Sequence, residues 1–70
     1  MRITAEAELG RAIRDRRNAV GMTQEDLASV TGIPQANLSK VERGVATAKF
    51  DTYLRLCQAL GIDLLAEGRR

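Results

Sequence analysis

Seventy residues, 44% of them hydrophobic and 29% charged with a net charge of +2, are expected to form a single domain over residues 1–70, near the lower limit of what apolar burial alone can hold together. With no histidine and one cysteine, Cys57, the chain offers no internal disulfide, no zinc ligands and no histidine base. It carries no nucleophile elbow or glycine-rich phosphate loop either, so no catalytic residue, metal or cofactor is expected.

No apolar run is long enough to cross a bilayer and no signal-peptide pattern is present, which makes the cytoplasm the expected location. Phe50 and Tyr53 are the only aromatic residues. The core must therefore be built from Leu, Ile, Val and Ala, a composition suited to packed helices. The charge is unevenly spread: residues 21–47 hold two bases, Lys40 and Arg43, against three acids, Glu25, Asp26 and Glu42. Any attraction for a polyanion has to come from individually placed side chains and helix N-termini.

Thr4 can cap a first helix starting near Ala5, with Glu6 and Glu8 placed where the helix dipole favours negative charge. Leu9, Ile13 and Val20, widened by Ala12 and Ala19, form an apolar stripe that predicts an amphipathic helix to about Val20, ended by Gly21. Arg17 falls four residues after Ile13, at the edge of that stripe. It either snorkels into solvent along the helix or meets an acidic partner.

Met22 precedes a marked helix start, Thr23 followed three residues on by Asp26, the pattern of a capping box. Leu27, Ala28 and Val30 supply the buried side of this second helix. Gly32 stands at a turn that requires a left-handed backbone, and Pro34 suits the first turn of the next helix. That third helix is expected from about Pro34 to Glu42, with Leu38 and Val41 inward and Gln35, Ala36, Ser39 and Lys40 outward. Asn37 and Arg43 lie at the margins. Glu42 follows Leu38 by four residues, so it and Arg17 are two charges of opposite sign that helical spacing turns towards the core.

Gly44 stops the third helix and a loop follows. A fourth helix carries Phe50, Leu54, Cys57 and Leu60 on one stripe, with Tyr53 and Leu56 beside it, and Gly61 closes it. Its start is open between a cap at Thr47 and a first residue at Phe50. Cys57 reads as a small buried apolar side chain. Residues 62–66 form either one helical turn or a strand that pairs with a second copy of the chain, and residues 67–70 are expected to be a flexible tail.

Two short helices joined by a glycine turn, the second presenting polar and small side chains outward, have the shape of a major-groove reader. The same pattern also serves simply to pack a small bundle. In the first reading the amide of Gln35 can pair with adenine, Ala36 can touch a thymine methyl, and Ser39 and Lys40 reach bases or phosphates. The N-terminus of the second helix, at Thr23 and Gln24, suits a phosphate.

The run LGRAIRDRRNAVGMTQEDLASVTGIPQANLSKVERG, followed by LRLCQALGIDL, resembles the Xre/Cro–C1 family of phage-repressor-like helix-turn-helix domains over roughly residues 9–65. Within that family the segment GIPQANLSKVE and the tail GIDLL look most like HipB-type antitoxins. The resemblance implies an all-α fold of four to five helices, with the motif at residues 23–43 and a short C-terminal strand at a dimer interface as one form of the tail. It implies a homodimer on a palindromic double-stranded DNA operator. The implied role is an autoregulating transcriptional repressor, the antitoxin of a HipA-type kinase toxin. A phage or plasmid repressor without a toxin, or a protein-interaction module that merely keeps the fold, stands as the alternative.

Carried over by position, the resemblance puts Gln35, Ala36 and Ser39 at base-contacting places, with Lys40 a further candidate. Gln24, Asn37 and Arg43 fall at phosphate-contacting places. It also pairs Arg17 with Glu42 as a buried ion pair. Two departures stand out: Pro34 replaces a polar side chain that often faces DNA, and Lys49 replaces a serine or threonine cap.

Overall fold

The computed structural model describes residues 6–46 and 48–62. Four helices occupy them: α1 (Glu6–Ala19), α2 (Gln24–Thr31), α3 (Gln35–Glu42) and α4 (Phe50–Leu60). Among the described residues there is no strand, and no helix is long and apolar enough to cross a membrane. The expectations for Thr4, Thr47 and residues 63–70, including the strand form of the tail, lie outside the described residues.

The helices enclose one core of Ile13, Leu27, Ile33, Leu38, Val41, Tyr53, Leu56, Cys57 and Leu60. α1 packs on α3 and α4, and α2 packs on the same two helices. The closest approach is at Gly10, where an added Cβ would overlap the carbonyl oxygen of Val41. Only a residue without a side chain lets α1 lie against α3 at this depth.

Local chemistry sets the boundaries. At α2 the Thr23 hydroxyl accepts from the Asp26 N–H at 3.0 Å while the Asp26 carboxylate accepts from the Thr23 N–H at 3.1 Å, so two open donors of the first turn are satisfied reciprocally. Gly32 caps its far end at φ 74° and donates its N–H to Ala28 O. α3 begins at Gln35, one residue later than expected, because Pro34 is extended (ψ 137°) and serves as the N-cap. α4 begins at Phe50 with Lys49 as an N-cap that gives no side-chain hydrogen bond.

Three apolar residues expected inside lie outside. Val20 is 44% exposed because α1 has already ended at Ala19 and the chain is turning into Gly21. Val30 is 68% exposed. The inward seam of α2 runs instead through Leu27 and Thr31, spaced by four, and Thr31 tolerates burial because its hydroxyl donates to Leu27 O at 2.7 Å. Phe50 is 71% exposed, since the seam of α4 is Tyr53, Leu56, Cys57 and Leu60, one helical row away from the stripe that begins at Phe50.

The connections are held by long-range hydrogen bonds. Tyr53 Oη accepts from the Ala48 N–H at 3.3 Å, closing the loop before α4 onto its first turn. Arg55 Nη1 donates to Thr31 O at 3.3 Å and fixes the turn between α2 and α3 against α4. Arg16 Nε donates to Leu60 O at 3.0 Å, tying α1 to the end of α4.

Candidate nucleic-acid interface

α3 buries Leu38, Val41 and Glu42 and turns the rest of its surface outward. Gln35, Ala36, Asn37, Lys40 and Arg43 are exposed and Ser39 is half-buried. Within the described residues the side chains of Gln35, Asn37 and Lys40 make no hydrogen bond or ion pair. Arg43 curls back along the helix, its Nε donating to Ser39 O at 3.3 Å. Gln35 stands at the first helical position, and Ala36, Ser39 and Lys40 lie one to five residues on, which places them on neighbouring rows of one helix surface.

Beneath that surface lies a buried polar network. Arg17 Nε donates to Glu42 Oε2 at 2.8 Å and Arg17 Nη2 donates to Glu42 Oε1 at 2.9 Å. The side chains are 11% and 1% exposed. Arg17 Nη1 also donates to Met22 O at 2.9 Å, and Gln24 Nε2 donates to Glu42 Oε1 at 3.1 Å. One carboxylate at the end of α3 thus gathers a guanidinium from α1 and an amide from the start of α2. The hydrogen bonds that Arg17 donates to Glu42 raise its affinity for its proton, outweighing the opposing effect of burial.

The network positions more than it stabilises. Desolvating two charges costs about as much as their attraction returns, while the bidentate geometry fixes three elements to one another. Gln24, placed by resemblance among the phosphate contacts, is half-buried and gives Glu42 one of its amide protons. Its second proton and its oxygen have no partner among the described residues. The N-terminal turn of α2 around it carries the Asp26 carboxylate, held below its ordinary pKa chiefly by the Thr23 backbone N–H, with the Thr23 hydroxyl adding to the effect.

Two cationic residues beside this surface are absent from the sequence-derived set. Lys49 and Arg55 join Asn37, Lys40, Asp51 and Thr52 around a cleft between α3 and the start of α4. Their sequence signal is weak: Lys49 follows a loop of small residues, and Arg55 belongs to an ordinary i, i+4 pair with Asp51. Cys57 is buried in the core with its thiol pKa pushed up by desolvation, and among the described residues no group of three His, Cys, Asp or Glu could hold a metal.

A capped helix, a left-handed glycine turn and a second helix with a hydrogen-bonding outer face, braced from behind by an ion pair, define the helix-turn-helix class. The chain belongs to the Helix-turn-helix family (HTH_3), whose model matches residues 13–66, a family of DNA-binding transcription regulators. It is 35% identical to the HTH-type transcriptional regulator y4mF of Sinorhizobium fredii, over 99% of this chain and 93% of that one.

Among solved structures, the restriction-modification controller protein C.AhdI from Aeromonas hydrophila is similar with a TM-score of 0.75 and 33% identity, over 81% of this chain and 86% of that one. HipB, in a HipA–HipB–O2–O3 complex, is similar with a TM-score of 0.84 and 26% identity, over 100% of this chain and 99% of that one. The HipB–O4 20mer complex gives the same TM-score and identity. These likenesses carry the all-α helix-turn-helix architecture.

Proposed function

We propose that this protein is a sequence-specific DNA-binding repressor that acts as a homodimer on a palindromic operator. In this reading Gln35, Ala36, Ser39 and Lys40 face base edges, and Gln24, Asn37 and Arg43 face phosphates. The observation that carries it is the outer face of α3. Its amide and ammonium groups are exposed and bond to nothing within the described residues, while the helix beneath is locked by a buried ion pair. An α-helix of this width enters the major groove, where a glutamine amide matches adenine and an alanine methyl fits against thymine.

The finer reading is an autoregulating antitoxin paired with a HipA-type kinase toxin, and its support is the likeness to HipB over the whole chain. A second reading, the controller of a restriction-modification operon, is supported by the higher identity to C.AhdI. The gene beside this one separates them, a kinase in the first case and a restriction or modification enzyme in the second.

DNA binding is tested by gel shift of the duplex upstream of the protein's own reading frame against an unrelated duplex of equal length. Preference for the upstream duplex by a factor of about a thousand or more is expected of a specific regulator. Equal retardation of both would reject sequence-specific repression.

A further inference from the structure

Glu42 lies in the core and Gln24 at its rim, and one hydrogen bond joins them. The buried Glu42 carboxylate accepts two bonds from the Arg17 guanidinium and a third, at 3.1 Å, from Gln24 Nε2. The first two fasten α1 to α3 without any help from Gln24. The third reaches a half-buried side chain at the first residue of α2.

That third bond fixes an orientation as well as a position. A carboxylate engaged by a guanidinium only accepts hydrogen bonds, so the Gln24 amide has to turn its nitrogen towards it. The reversed amide would set a carbonyl oxygen against a carboxylate oxygen whose side chain is 1% exposed, where water screens the repulsion poorly. A glutamine in solvent has no such preference. Gln24 is left with one N–H and one carbonyl oxygen in a fixed arrangement, and the side chain need not be ordered again when it binds.

The place where Gln24 is held has its own consequence. Gln35, Ser39 and Glu42 follow one another at spacings of four and three, so they share one side of α3. Gln35 is exposed, Ser39 half-buried and Glu42 buried along that side. The residue that holds Gln24 thus belongs to the same helix row as two of the side chains placed at base edges, and a rigid helix sets the offset between them.

We propose that Glu42 is a positioning residue for recognition, which ties the phosphate-facing amide of Gln24 to the row of α3 that faces the bases, so that both kinds of contact engage DNA in one register. The proposal rests on the DNA-binding reading and adds that a residue with no access to DNA sets sequence preference. A phosphate contact free to wander adds affinity for any duplex. One locked to the base row adds it fully only where the bases also match.

NMR of the isotope-labelled free chain tests the bond, and fluorescence anisotropy with the upstream operator duplex and an unrelated duplex tests its use. In the wild type, one of the two Gln24 side-chain amide protons is expected to be shifted downfield and slow to exchange. A Gln24 amide with the shifts and exchange of a solvated glutamine would overturn the proposal before any variant is made. Gln24→Ala should weaken operator binding by about tenfold and binding to the unrelated duplex by about twofold. In the Arg17→Met, Glu42→Leu double variant, apolar side chains of similar volume replace the buried pair. Adding Gln24→Ala there should change operator binding by less than about twofold, the amide having already lost its register. Glu42→Gln keeps the volume and lets the Gln24 amide turn either way, and serves as the background if the double variant unfolds.

Gln24→Ala that costs as much in the altered background as in the wild type overturns the proposal, and so does a wild type indifferent to Gln24→Ala. The two readings stay apart in the same data. Equal binding of both duplexes by the wild type sinks the repressor reading and this role with it. A wild type that prefers the operator, with Gln24→Ala equally costly in both backgrounds, sinks the role of Glu42 alone.

Discussion

Gln35 sits at the first residue of α3, exposed and clear of the core, so its replacement isolates recognition from stability. Gln35→Ala is expected to lose about 1–3 kcal/mol of preference for the cognate base over its alternatives with the thermal midpoint unchanged. Uniform weakening on every sequence would reject Gln35 as a reader. Asp26 offers a test of the cap beneath it. Its pKa is lowered in the folded chain by hydrogen bonds from Thr23, so its contribution to stability is present above the unfolded pKa and fades as pH falls through the lowered folded value. An NMR titration should find Asp26 titrating below an ordinary aspartate in the wild type and moving only part of the way back up in Thr23→Ala, which loses the hydroxyl and keeps the backbone N–H; an Asp26 that titrates as an ordinary aspartate in the wild type would mean that Thr23 does not hold the carboxylate. The outward placement of Gln35, Ala36 and Lys40 was legible in the sequence because α3 is periodic. The hydrogen bond from Gln24 to Glu42 was not, since its partners lie 18 residues apart and nothing local distinguishes a glutamine that faces solvent from one that faces a buried carboxylate.

At the scale of elements, the arrangement depends on α1 bracing α3 from behind. Helical spacing turned Arg17 and Glu42 towards the core from separate helices, and the structure brings them into bidentate contact. Replacing Arg17 with methionine is expected to cost about 3–5 kcal/mol in urea unfolding, because Glu42 is left charged and buried. A loss under about 1 kcal/mol would mean that the pair behaves as a solvated one. Replacing Glu42 with leucine as well should recover much of that stability while still weakening DNA binding, since Gln24 then loses its anchor. The helix order and the capping box were readable because caps, glycines and proline leave local marks. The inward seams were less so: Val30 and Phe50 fit an apolar stripe by type, yet tertiary packing selected Thr31 and Tyr53 on the adjacent row. Both carry a hydroxyl that finds a backbone partner, Leu27 O for one and the Ala48 N–H for the other, and residue hydrophobicity alone does not report such a partner.

For the whole molecule the governing quantity is charge. A net charge of +2 over 70 residues, with an acidic excess in the motif itself, gives little long-range pull on a polyanion. In the proposed reading the hold comes from a few phosphate contacts doubled by a second copy. Length and composition could indicate a small helical domain, but not which large apolar side chains stay in solvent, because the exposure of Val30 and Phe50 becomes visible only once the core has been filled. The central claim is that α3, presented twice, reads DNA. Its most direct test is fluorescence anisotropy of the upstream operator duplex and of an unrelated duplex, titrated with the protein over a range of salt concentrations. About six phosphate contacts per dimer predict a log–log slope of affinity against salt near −5, with the operator bound more tightly at every salt concentration. Identical affinities for the two duplexes, or a slope near zero, would contradict the account.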